Sequence, residues 1–91
     1  MKVDVKEIKA CCGRTQTVLV LGKPLEIEYL QLFITNGFTS IASYGKQGIF
    51  YIENRDIIAT GSIGSNRLEF KRKTDKSNEA AAIITHILES I

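Results

Sequence analysis

Few residues in this 91-residue chain are of types that abstract protons, attack carbonyls or hold metals: one histidine, two cysteines and ten acidic residues. His86 falls at helical spacing on the flank of an apolar stripe, beside Glu79 and Ser90. A general base normally takes an orienting partner at hydrogen-bond distance. Glu89 or Ser90, three and four residues on, is within helical reach of that role, but an ordinary solvated histidine fits the same spacing.

Cys11 and Cys12 are adjacent, and neighbouring side chains on extended backbone point opposite ways. A disulfide between them demands strained geometry, so both are expected to be reduced. One is expected to pack as a small apolar residue and the other to sit near the turn at Gly13. The functional alternative is a thiol-based redox or sensor protein in which Arg14 and Lys9 lower the pKa of Cys11 or Cys12. Without a Cys-x-x-Cys spacing or a second histidine, neither a metal site nor a cofactor is expected.

Glu26 with Glu28, and Glu53 with Asp56, form the paired carboxylates. Acid and base work would need one of a pair desolvated, so that the two pKa values separate. Asn54 and Asp56 are turn formers, which places the second pair at the surface with Arg55 as a counter-ion. The glycines of residues 61–66 match neither phosphate-binding loop pattern. They lie between two expected strands rather than before a helix, and a hairpin with a bulge at Gly61 is the expectation there.

The most distinctive charge feature is residues 67–76, where Arg67, Lys71, Arg72, Lys73 and Lys76 stand against Glu69 and Asp75. The stretch carries +3 and leaves −1 for the rest of a chain whose total is +2. Arg55, Arg67, Lys71, Arg72 and Lys73 are therefore the candidate residues for a polyanion such as a nucleic-acid backbone. A solvated outer face, its lysines discouraging edge-to-edge aggregation, fits the same pattern.

Behind these residues the elements follow from periodicity. Residues 2–9 alternate, with Val3, Val5 and Glu7 on one parity, and read as a strand with one buried face. Residues 15–21 read as a second strand, internal in the sheet because it is apolar almost throughout its end, and the two form an antiparallel hairpin. Pro24 is expected as the first residue of a helix that stops at Asn36-Gly37. Its apolar residues cover an arc of roughly 220°, wider than a sheet-packed helix needs. Leu25, Tyr29, Leu32 and Phe33 are accordingly candidates for a partner-binding face.

Four short apolar segments follow, residues 38–44, 49–53, 57–63 and 67–73, separated by turn residues and read as a meander with the basic strand near an edge. A final helix begins with Ser77 as its cap and runs through Ile83, Ile84, Ile87 and Leu88.

The expected fold is α+β: an antiparallel sheet of five or six strands, mostly a meander, with two helices packed on one face in the order ββαββββα. Residues 1–91 read as a single domain of average composition, 44% hydrophobic and 24% charged. No apolar run is long enough to span a bilayer, and charges interrupt any secretory h-region at the start, so the cytoplasm is the expected compartment. The leading functional expectation is a non-catalytic accessory or interaction domain that self-associates, with a homodimer favoured. Nucleic-acid binding through the basic strand is the alternative, followed by thiol chemistry.

Overall fold

A nearly continuous apolar strand such as residues 17–21 is stable only with neighbours on both sides, and the sheet is built around that requirement. The computed structural model describes residues 1–9 and 15–91. Its elements are β1 (Val3–Lys9), β2 (Thr15–Leu21), α1 (Tyr29–Thr35), α2 (Ala42–Lys46), β3 (Ile49–Glu53), β4 (Ile57–Ser62), β5 (Arg67–Arg72) and α3 (Ser77–Glu89). They form an α+β fold with one five-stranded antiparallel sheet in the order β1-β2-β5-β4-β3. An N-terminal hairpin, β1–β2, is thus joined to a meander, β3–β4–β5, through pairing of β2 with β5.

One face of the sheet carries Leu19, Leu21, Phe50, Ile52, Ile57, Ala59, Leu68 and Phe70, all buried. Phe33 of α1 and Ala80, Ile84, Ile87 and Leu88 of α3 pack onto them in one core. Phe33 sits edge-on to both Phe38 and Phe50, with ring centroids 5.8 and 5.9 Å away. The opposite, outer face alternates with the buried set, as a pleated strand requires; it displays Asp4, Lys6, Gln16, Val20, Ile49, Tyr51, Ile58, Thr60, Arg67, Glu69 and Lys71.

Several expectations are corrected. The basic strand β5 is central, not near an edge, because the apolar strand β2 takes it as its second neighbour. Residues 38–44 are not a strand. Thr39 makes a single bridge to Glu53, and residues 42–46 are the additional helix α2. The apolar residues Phe38, Ile41 and Tyr44 recur every third position, a helical spacing, where a half-buried strand would alternate. The observed order is therefore ββααβββα, with three helices.

The first helix also starts later than Pro24. Leu25 donates its N–H to the carbonyl of Ser65 (2.7 Å), and its own carbonyl accepts from Gly64 N–H (2.8 Å). A carbonyl committed to the β4–β5 turn is not available to open a helix, so α1 begins only at Tyr29. Its end is as expected. Gly37 adopts φ +92°, Phe38 N–H bonds to Phe33 O (3.0 Å) and Gly37 N–H to Ile34 O (3.2 Å), the bond pair of a Schellman stop. The Phe33–Phe38 ring contact closes it.

Gly61 does not mark a bulge. It pairs in register with Phe50 and Leu68, and its lack of a side chain leaves room for Leu25, which is 1% exposed. A Cβ at Gly61 would lie 2.8 Å from Leu25 Cδ1 and 2.7 Å from the Arg67 carbonyl oxygen. Alanine normally improves a strand glycine by its lower unfolded-state entropy. Here the backbone oxygen cannot withdraw without opening the β4–β5 pairing, so overpacking dominates. Gly61→Ala should lose about 1–3 kcal/mol of stability, read from the urea midpoint.

Candidate functional site

The alternation of β5 sets the basic candidates apart from one another. Leu68 and Phe70 turn into the core, which sends Arg67, Glu69 and Lys71 to the outer face. Arg72 shares the parity of Leu68 and Phe70 and so belongs to the helix-bearing side. Its guanidinium donates to Thr17 Oγ1 (3.0 Å), Ser77 Oγ (3.2 Å) and Asn78 Oδ1. Thr17 and Ser77 are the buried polar side chains among the described residues. Arg72 thus ties β2 to the first turn of α3, a structural task that removes it from a polyanion surface. Ser77, expected as the cap of this helix, is instead its first residue, and the cap position is Lys76.

Lys73 is occupied as well. Its ammonium lies 2.6 Å from Glu53 Oε2 and donates to the Asn54 carbonyl (3.1 Å). Arg55 sits in the β3–β4 turn, at the end of β5 opposite Arg67. That turn forms as expected: Asn54 Oδ1 accepts from the N–H groups of Asp56 (2.8 Å) and Ile57 (3.0 Å). The five basic candidates therefore do not form one patch. Arg67 and Lys71 remain on the outer face, interleaved with Glu69, which accepts from Gln16 Nε2 (3.2 Å). With Asp4 against Lys2 and Lys6, and Glu53 already paired with Lys73, that face keeps a modest positive excess.

Arg67 and Glu69 also line a shallow depression of about 380 Å³ with the hydroxyl residues Thr60, Ser62 and Ser65. Beyond it, Tyr51 meets Tyr44 of α2 edge-on, with centroids 5.3 Å apart. Partial burial raises the Tyr51 phenol above its ordinary pKa, with the neighbouring Glu53 charge adding to the effect.

The partner-face candidates on α1 divide in the same way. Leu25 and Phe33 lie in the core, 1% and 0% exposed, and are not available to a partner; Tyr29 is half-buried and Leu32 is 42% exposed. Burial, then the Glu26 carboxylate, raises the Tyr29 phenol. The apolar surface that does remain lies on Leu32 and Ile34 of α1 and on Ile27 just before it, with the half-buried Leu30 among them. Ile27 and Leu30 reach Gly45 of α2, and the exposed Ile41 stands at the start of that helix.

His86 is exposed on α3, and its side chain makes no hydrogen bond among the described residues. No cluster of three or more metal-ligating side chains occurs among them, and no helix is long and apolar enough to cross a membrane. Cys11, Cys12 and the neighbouring Arg14 lie outside the described residues.

The two borders of the sheet, by contrast, were not legible as surfaces in the sequence. At β3, Thr39 exchanges both backbone hydrogen bonds with Glu53 (2.8 and 2.9 Å), and α2 packs against the strand. At β1 no strand lies on the far side among the described residues. Val5 shares the core parity of Val3 yet is 60% exposed, because the helix layer covers only the beginning of this strand. Glu7 on the same parity was the available sequence signal, since a charge there contradicts a fully buried face.

Comparison of the chain with protein-family models, curated proteins and solved structures gives no match. Its own geometry is therefore the basis for a functional reading.

The Lys73 hydrogen bond holds the Glu53 carboxyl below the usual carboxylate range. A folded-state pKa lowered in this way contributes stability above the ordinary carboxylate range and loses it as pH falls through the folded value. In Lys73→Met the Glu53 carboxyl should titrate higher, as followed by NMR. The stability difference from wild type should be largest at neutral pH and shrink on acidification.

Proposed function

We propose that this chain is a non-catalytic interaction domain that self-associates, with a homodimer as the working form. The observation that carries the reading is the apolar surface outside the core. Ile27 and Leu30 border Gly45 of α2, and Ile27, Leu32, Ile34 and Ile41, on or beside the same two helices, are left exposed by the elements among the described residues. Isolated exposed aliphatic residues are ordinary, but grouped ones mark contact surfaces. The dispersal of titratable groups supports the non-catalytic part. His86, the Glu26–Glu28 pair and the Glu53–Asp56 turn lie on separate elements, and none is enclosed with another in a pocket.

A second reading is supported by Arg67, Lys71 and Tyr51, which share the outer sheet face, where Tyr44 of α2 packs edge-on against Tyr51. On it the protein binds single-stranded nucleic acid, with tyrosine stacking on bases and the two cations tracking phosphates. Binding of a random oligonucleotide should then fall steeply with salt and be lost in Lys71→Glu, as measured by fluorescence anisotropy. The absence of binding at low salt would dispose of it.

For the leading reading, light scattering coupled to size exclusion should give a mass twice that of the chain at micromolar concentration. Monomer alone throughout that range would sink it.

A further inference from the structure

The backbone of β1 shows which of its groups are committed. Gly22 donates its N–H to the Lys2 carbonyl (2.8 Å), and in an antiparallel ladder the bonded pairs alternate along the strand. Lys2, Asp4, Lys6 and Ile8 therefore face β2, opposite Gly22, Val20, Val18 and Gln16. The N–H and C=O groups of Val3, Val5 and Glu7 point the other way, where no strand lies among the described residues. Such an edge templates pairing with another chain unless it is blocked by a proline, a bulge, unmatched edge lysines or an inward-facing charge. β1 has no proline and no bulge; on its outward face Lys2 and Lys6 alternate with Asp4, which gives the lysines a carboxylate to meet, and Glu7 is its inward-facing charge.

We infer that two copies of the chain join along β1, antiparallel about a two-fold axis at Val5. The inference rests on the self-association proposed above but assigns the contact to the β1 edge in place of the apolar surface of α1 and α2. Charge and length of overlap select the register, since an axis at Val3 also avoids like pairs but joins only residues 1–5. Only odd-numbered residues offer free backbone groups, so odd must pair with odd across the axis. An axis at Asp4 sets Asp4 against Asp4 and Lys2 against Lys6, one at Lys6 sets Lys6 against itself, and one at Glu7 does the same to glutamate. Like charges directly opposite one another are destabilising.

With the axis at Val5, each Asp4 lies across from the second copy's Lys6 on the outer face, and no like pair remains. These are non-hydrogen-bonded positions, where side chains approach most closely. On the other face Val5, the most exposed of the large apolar residues at 60%, meets its own copy. Pairing of single strands lies at the small end of specific interfaces, so a dimer in the micromolar range is expected. The apolar surface of α1 and α2 is left open.

Sedimentation velocity of the full chain tests this with a charge exchange. Asp4→Lys and Lys6→Asp should each weaken the dimer by about tenfold or more, since each turns two attractive pairs into repulsive ones. The double variant restores opposite charges and should recover the dimer, and an equimolar mixture of the two single variants should form a heterodimer. Val5→Pro removes an outward N–H that β2 does not use, so it should give a monomer, with circular dichroism confirming an intact fold. A wild type that stays monomeric at high micromolar concentration would overturn both the edge contact and the self-association. A dimer indifferent to the charge exchange and to Val5→Pro, yet lost in Ile34→Glu, would overturn the edge contact alone and place the junction on α1.

Discussion

Pairing of β2 with β5 is the joint on which the rest of the molecule depends. Val18, Leu19 and Val20 meet Glu69, Leu68 and Arg67, residues far apart in the chain, and the joint continues beyond the strands as Leu21 N–H bonds to Asn66 O (2.7 Å). Without it the chain would hold a two-stranded ribbon and a separate meander, and a lone hairpin is marginal in water. Once the two are joined, Leu25 is drawn over Gly61, its backbone is captured by the β4–β5 turn, and the first helix cannot begin until Tyr29. Arg72 then finds Thr17 across the same joint and carries the connection on to α3.

Local periodicity made much of this legible. The alternation of residues 2–9, the apolar run that made β2 internal, the turn at residues 54–56, the outward charges of β5 and the helix stop at Asn36-Gly37 all follow from short-range rules that the fold obeys. What was not legible depended on distant partners. Pro24 is well suited to open a helix, but a hydrogen bond from Gly64 N–H to the Leu25 carbonyl outweighs that preference. Residues 38–44 have the composition of a strand, yet Thr39 finds only Glu53 to pair with before the three-residue spacing of Phe38, Ile41 and Tyr44 takes the chain into α2. Composition suggested the first outcome; periodicity describes the second.

The candidate surfaces were legible to the same degree. Strand alternation separates Arg67 and Lys71 from Leu68 and Phe70, but it cannot say that Arg72, one residue past Lys71, will be enlisted to satisfy Thr17 and Ser77. Nor does helical spacing distinguish apolar residues that reach the core from those left outside it. Leu25 and Phe33 were the strongest members of the proposed helix face and are the ones the core absorbs. Ile27 and Ile34, at the margin of the same arc, are among those that remain. An amphipathic pattern shows how much apolar surface a helix carries, while the depth of the sheet beneath it determines how much is used.

The two borders of the sheet are unlike, and that difference limits how large an assembly can become. A sheet with both margins bare can recruit copies on each side and lengthen into a ribbon without end. With Thr39 seated against β3 and α2 beside it, one margin is already taken by the chain's own backbone. A second molecule that met the other margin about a two-fold axis would present its own occupied border outward. Growth would then stop at a closed ten-stranded body, and the short bridge at Thr39, a minor feature of the monomer, would act as the terminator of the polymer.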